Sequence, residues 1–168
     1  MNKNKIQHAI SCALVLGAVL VIKFLLSVTT QNSFFAFIVI LLTVLAPYLV
    51  YVFQKKYRDG ELGGTISYSN ALSYGIFLYL TASVILGTVQ YVYYQYINPN
   101  FLAESFRLSI EQLQMLGMPE NFIDEAINVG VPSPITSAFG CVVLNSFWGL
   151  LIALVTSGIV KKSTSTNE

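Results

Sequence analysis

The sequence predicts an all-α membrane protein, four transmembrane helices with an amphipathic helical hairpin between helices 3 and 4. Three observations carry that expectation. Hydrophobic residues are 55% of the 168-residue chain and charged residues 10%, against about 25% charged in soluble domains. Four apolar runs, Ala9 to Val28, Phe34 to Phe53, Ala71 to Ile97 and Ile135 to Val160, each reach the roughly 20 residues that carry a helix across a hydrocarbon core. Between the third and fourth lies the long polar interval 98–134. The expected organisation is a single integral membrane domain, 1–168, with spans near 9–28, 34–53, 71–97 and 135–160 and an outer cap over 98–134.

The first run follows Lys3 and Lys5 and so resembles the apolar heart of a signal peptide. Apolar character resumes after Lys23 through Val28, and no A-x-A-like cleavage site follows, so a retained helix is expected. The second run is the cleanest lipid-facing helix. Its one interruption is Pro47, which has no amide hydrogen and leaves the Thr43 carbonyl without its helical donor. Asp59-Gly60 and Gly63-Gly64 then read as turns, with Ser67 or Ser69 capping the third helix. These glycines lack the Lys-Ser/Thr pair of a phosphate-cradling loop.

In the polar interval, Leu102, Phe106, Ile110, Leu113 and Met115 or Leu116 recur at helical spacing, so Phe101 to Leu116 reads as an amphipathic helix ended by Gly117. Pro119 begins a second short helix, with Phe122, Ile123, Ala126, Ile127 and Val129 apolar and Gly130 as its stop. In the last run Ser137, Cys141, Asn145, Gly149, Ala153 and Ser157 recur every four residues, and the third run offers Gly75, Tyr79, Ser83, Gly87 and Tyr91. Small side chains at this spacing let helix backbones approach closely, so helices 3 and 4 are expected to cross through these faces. Asn145 is expected to bond across the contact.

Orientation follows from the cations. Lys3 and Lys5 precede the first helix, Lys55, Lys56 and Arg58 separate the second and third, and Lys161 and Lys162 follow the fourth, whereas the connection Thr29 to Ser33 and the interval 98–134 together hold only Arg107. The positive-inside rule puts the N- and C-termini in the cytoplasm and the cap outside. A net charge of +1 with no basic stripe excludes nucleic acid as a partner.

The segment Lys56 to Asp59, then Gly63-Gly64-x-Ile66-Ser67-Tyr68-x-x-Ala71, then Tyr93-Tyr94-x-Tyr96-Ile97-Asn98-Pro99-x-Phe101, resembles the recurring features of a family of short four-span bacterial membrane proteins. That family is catalogued as domain of unknown function 4199 and occurs mainly in Bacteroidota. The resemblance implies a fold and a cell inner membrane address, and it brings no catalytic residues to transfer.

Chemistry has few footholds. Cys12 and Cys141 fall near opposite ends of the fold and read as inert thiols rather than a disulfide. The sole histidine, His8, excludes a Ser-His-Asp or Cys-His arrangement on the outer side and leaves a metal site short of ligands. Glu120 and Asp124 share one face of the second cap helix, with Glu125 beside them, and read as a solvated helix face. No enzyme activity, metal or cofactor is expected.

Lys23 is the one charge inside a span. It either snorkels past Phe24 to Val28 toward the outer interface or joins Gln90, Tyr94 and Asn145 in a polar site. The expected role is that of a non-enzymatic accessory or interaction protein, its partners being the lipid bilayer and either a second copy of itself or another membrane protein. The alternative is a small oligomeric transporter or channel for a small solute or lipid.

Overall fold

The computed structural model describes residues 3–29 and 33–162. The connection expected at Thr29 to Ser33 therefore lies largely outside the described residues, as do the side chains of Lys3 and Lys5. The order is α1 (Lys3–Thr29), α2 (Ser33–Glu61), α3 (Tyr68–Val92) running into a π-helical turn (Tyr93–Ile97), α4 (Phe101–Met115), α5 (Glu120–Val129) and α6 (Pro134–Val160). Helices α1, α2, α3 with its π turn, and α6 are long and apolar enough to cross a membrane. Among the described residues there is no strand, only an isolated antiparallel pairing of Ile66 with Lys162. The chain divides into two compact units, Met1–Leu86 with Val142–Glu168, and Gly87–Cys141.

In the first unit α3 supplies much of the core. Ala71, Tyr74, Leu78 and Ala82 are fully buried, as are Ala9, Ala13 and Leu16 of α1. Close approach is bought by glycine at three places. A Cβ on Gly17 would meet the Ile85 side chain at 3.1 Å, one on Gly75 would lie 2.9 Å from the Ala153 methyl, and one on Gly149 would lie 2.6 Å from the Tyr79 Cβ. The expected crossing of α3 and α6 through small residues is therefore present. Helix α2 presents Phe34, Phe37, Ile40, Leu41, Val44 and Tyr48 outward, as its apolar composition implies.

One expected turn is absent. Helix α2 runs straight through Asp59-Gly60 to Glu61. Glycine in a helix costs about 1 kcal/mol, and local tertiary contacts offset it. Tyr57 stacks on Tyr74 with ring centroids 4.6 Å apart, and Arg58 holds both Asp59 and the Val160 carbonyl. The reversal falls instead at Gly63 and Gly64, at φ 64° and 89°, where a side chain would be strained. Ser67 caps α3 as expected, its Oγ accepting the Asn70 amide at 3.3 Å. Ser133 does the same for α6 by accepting the Thr136 amide, with Pro134 as the first helical residue, where the missing amide hydrogen is not needed.

In the second unit the end of α3 departs from the regular helix that its composition suggests. The Asn98 amide donates to the Tyr93 carbonyl at 2.8 Å, a five-residue closure that defines the π turn. This turn lets the consecutive residues Tyr93 and Tyr94 both be buried. Phe101 meets Tyr94 stacked and Tyr93 edge-on, each at 5.6 Å. The spacing Tyr93-Tyr94-x-Tyr96-Ile97-Asn98-Pro99-x-Phe101 thus encodes an aromatic clamp at the start of α4. The cap helices form as the sequence indicates. Gly117 and Gly130 have φ of 68° and 74°, and Ile123 is buried.

Candidate functional site

In the first unit all four long helices contribute to one cavity of about 290 Å³. Helix α1 supplies Leu20 and Lys23, α2 supplies Thr43, Ala46 and Pro47, α3 supplies Tyr79, and α6 supplies Asn145, Trp148 and Ile152. At ~1.5 Å per residue, Lys23 lies about 9 Å before the described end of α1, while Thr43, Pro47 and Asn145 lie near the middle of their helices. Local sequence explains each contribution. Lys23 is a turn beyond the core residues Leu16 and Leu20, so it continues the inward face of α1. Pro47 withholds a donor from the Thr43 carbonyl, and the Thr43 hydroxyl donates to the Val39 carbonyl at 2.8 Å.

The cavity has one formal charge. Lys23 is half-buried and takes part in no ion pair among the described residues. An ammonium held at membrane depth attracts any anion that can reach it, because low dielectric strengthens the pairing. Apart from the polar Thr43 and Asn145 the remaining walls are apolar or aromatic, and Trp148 is over half exposed. Such a lining can hold an anionic or polar group with an apolar body.

Of the four polar residues grouped on sequence, Lys23 and Asn145 line this cavity. Gln90 and Tyr94 are not among its lining residues and belong to the second unit. There Gln90 is buried with its Oε1 unbonded, and Tyr94 takes part in the Phe101 clamp.

Two polar clusters escaped the sequence reading. Gln54, the residue just past the expected end of the second span at Phe53, is fully buried, and its Nε2 donates to the Ala71 carbonyl at 3.1 Å and to Ser157 Oγ at 3.0 Å. The signal was present in the buried stripe Ala46, Val50, Gln54, Tyr57, which runs at helical spacing straight into the presumed loop. His8 is not a surface residue standing alone. Its Nδ1 lies 2.8 Å from the Tyr74 hydroxyl, its ring packs against Tyr57 and Tyr74, and Cys12 Sγ is 3.8 Å away.

The cap has a separate groove of about 420 Å³ lined by Gln114, Met118, Glu120, Ile123, Asp124 and Ile127. Glu120 and Asp124 are both exposed there, in keeping with a solvated helix face. Cys12 and Cys141 are not joined in a disulfide.

No curated protein and no solved structure is significantly similar to this chain. The family model described as a protein of unknown function, DUF4199, matches residues 11–162, and the chain belongs to that family.

Proposed function

We propose that this is a non-enzymatic accessory protein of the bacterial inner membrane, with both termini cytoplasmic, that engages another membrane protein or a second copy of itself through its outer cap. The observation that supports this reading is the apolar surface left uncovered on helices too short to span a membrane. Met115 and Leu116 are 84% and 77% exposed at the end of α4, and Val129 is 82% exposed at the end of α5. Large apolar side chains exposed side by side, as Met115 and Leu116 are, mark interaction surfaces when they form a contiguous patch. The small-residue faces of α3 and α6, by contrast, are occupied by each other within the chain.

A photo-crosslinking residue placed at Leu116 or Val129 in cells tests the proposal. The expected outcome is a discrete protein adduct at one or both positions, at a stoichiometry that survives membrane solubilisation. Crosslinks to lipid alone would overturn it.

The second reading, a small oligomeric transporter or channel for a small solute or lipid, is favoured by one observation, the presence of Lys23 and Asn145 on the same cavity. Its distinguishing result would be solute or lipid flux across vesicles that depends on the reconstituted protein.

A further inference from the structure

We propose that the cavity between α1, α2, α3 and α6 is a binding site for a phosphate-type anion, presented by the headgroup of an anionic membrane lipid, with Lys23 as its charge partner and Asn145 as a neighbouring polar contact. The site stands on the cavity itself and holds whether the protein serves an accessory or a transport role.

The physical case begins with the cost of placing a lysine within a span. Lysine within a membrane span is unfavourable unless its charge is paired or reaches water, by less near a helix end than the roughly 2.5–3.5 kcal/mol at the centre, and no carboxylate of this protein pairs with Lys23 among the described residues. Its side chain lines a cavity to which all four long helices contribute, so the compensating anion has a place to sit. The cavity volume of about 290 Å³ is at the lower end of small-ligand sites, which begin near ~300 Å³. That suits a headgroup phosphate and the first part of its glycerol or acyl body rather than a whole lipid. The apolar neighbours Leu20, Ala46 and Ile152 and the indole of Trp148 match the amphiphilic remainder of such a molecule. Lysine binds phosphate as a compact point charge without needing bidentate geometry. Thr43, whose carbonyl lacks its helical donor because of Pro47, also lines the cavity.

The experiment uses the full chain purified in a neutral detergent, with bound lipid counted by native mass spectrometry and stability followed by thermal unfolding. Phosphatidylglycerol and phosphatidylethanolamine are added in competition. Wild-type protein is expected to retain one phosphatidylglycerol in about tenfold preference. Lys23→Gln should abolish the preference, Lys23→Arg should keep it, and Lys55→Gln with Lys56→Gln should leave it intact. Inorganic phosphate supplies the second arm. Stabilisation of wild type but not of Lys23→Gln by phosphate alone would support the same site with a soluble anion as its ligand, whereas phosphate without effect beside retained phosphatidylglycerol supports the lipid source. If wild type binds the two lipids equally, or if the preference follows Lys55 and Lys56 rather than Lys23, the proposal is overturned. The wild-type comparison stands even if Lys23→Gln does not fold.

Discussion

Gln54 has no solvent exposure and bridges three helices, from α2 to the Ala71 carbonyl of α3 and the Ser157 hydroxyl of α6. The Ala71 carbonyl can only accept, so the amide nitrogen must face it and Oε1 must point away, where it finds no partner. Interhelical side-chain hydrogen bonds in a membrane protein average about 0.6 kcal/mol each, while an unpartnered buried acceptor costs roughly 1–3 kcal/mol. These terms oppose one another at similar size. Gln54→Leu, which keeps most of the volume and removes the unpartnered oxygen, is therefore expected to leave the melting temperature in detergent nearly unchanged, and Ser157 can turn its hydroxyl to its own helix. Gln54→Ala opens a void and is expected to lose about 2 kcal/mol or more. Equal and large losses from both variants would show that the hydrogen bonds, rather than the filled space, hold the three helices. Polarity alone puts the residue past the end of the second span at Phe53, although its helical spacing from Ala46 and Val50 puts it on the buried face.

The crossing of α3 and α6 can be tested on glycines of the same helix. Gly149 lies against Tyr79, where an added Cβ would overlap the ring, whereas nothing lies within 4 Å of a Cβ on Gly158. Gly149→Ala should thus destabilise by about 1–3 kcal/mol through overpacking, and Gly158→Ala should be neutral or slightly stabilising because alanine is the better helix former. Thermal unfolding of both variants in the same detergent checks the contrast, and a Gly149→Ala protein as stable as Gly158→Ala would mean that the helices do not meet there. This element-scale feature was legible beforehand, because the four-residue recurrence of small side chains is a local property of each helix. The cap helices were legible for the same reason, with Gly117 and Gly130 marking stops that demand positive φ. Two features were not. The continuation of α2 through Gly60 depends on the Val160 carbonyl, which receives Arg58 from across the fold. The π turn goes with Phe101 packing on Tyr93 and Tyr94. Contacts between distant residues overrode local preference in the first case and reshaped it in the second, and periodicity carries no information about them. The cavity belongs to the same class. Lys23 and Asn145 were recognisable as polar residues in spans, but their sharing of one cavity depends on helix rotation.

At the scale of the whole molecule, charge distribution predicts the orientation that the proposed function requires. Within the first unit Arg58 reaches the Val160 carbonyl at 3.0 Å and Ile66 pairs with Lys162, so Lys55, Lys56, Arg58, Lys161 and Lys162 gather at one end. The segment after α3 carries Glu104, Glu111, Glu120, Asp124 and Glu125 with Arg107 as its lone cation, and Arg107 is paired with Glu111 at 3.3 Å. Short loops rich in Lys and Arg are retained in the cytoplasm, and three helices long and apolar enough to cross a membrane precede the segment after α3, so that segment is expected on the opposite face. Single cysteines introduced by Glu111→Cys or Lys162→Cys into a Cys12→Ala, Cys141→Ala background report this directly with a membrane-impermeant maleimide. The position in α4 should label in intact spheroplasts, and the one after α6 only once the membrane is opened. The reverse pattern would invert the orientation, and labelling of both positions in intact cells would mean that the chain inserts both ways. Either result would remove the cap from the outer surface in some or all copies. A partner reached through Leu116 or Val129 would then have to meet those copies from the cytoplasm.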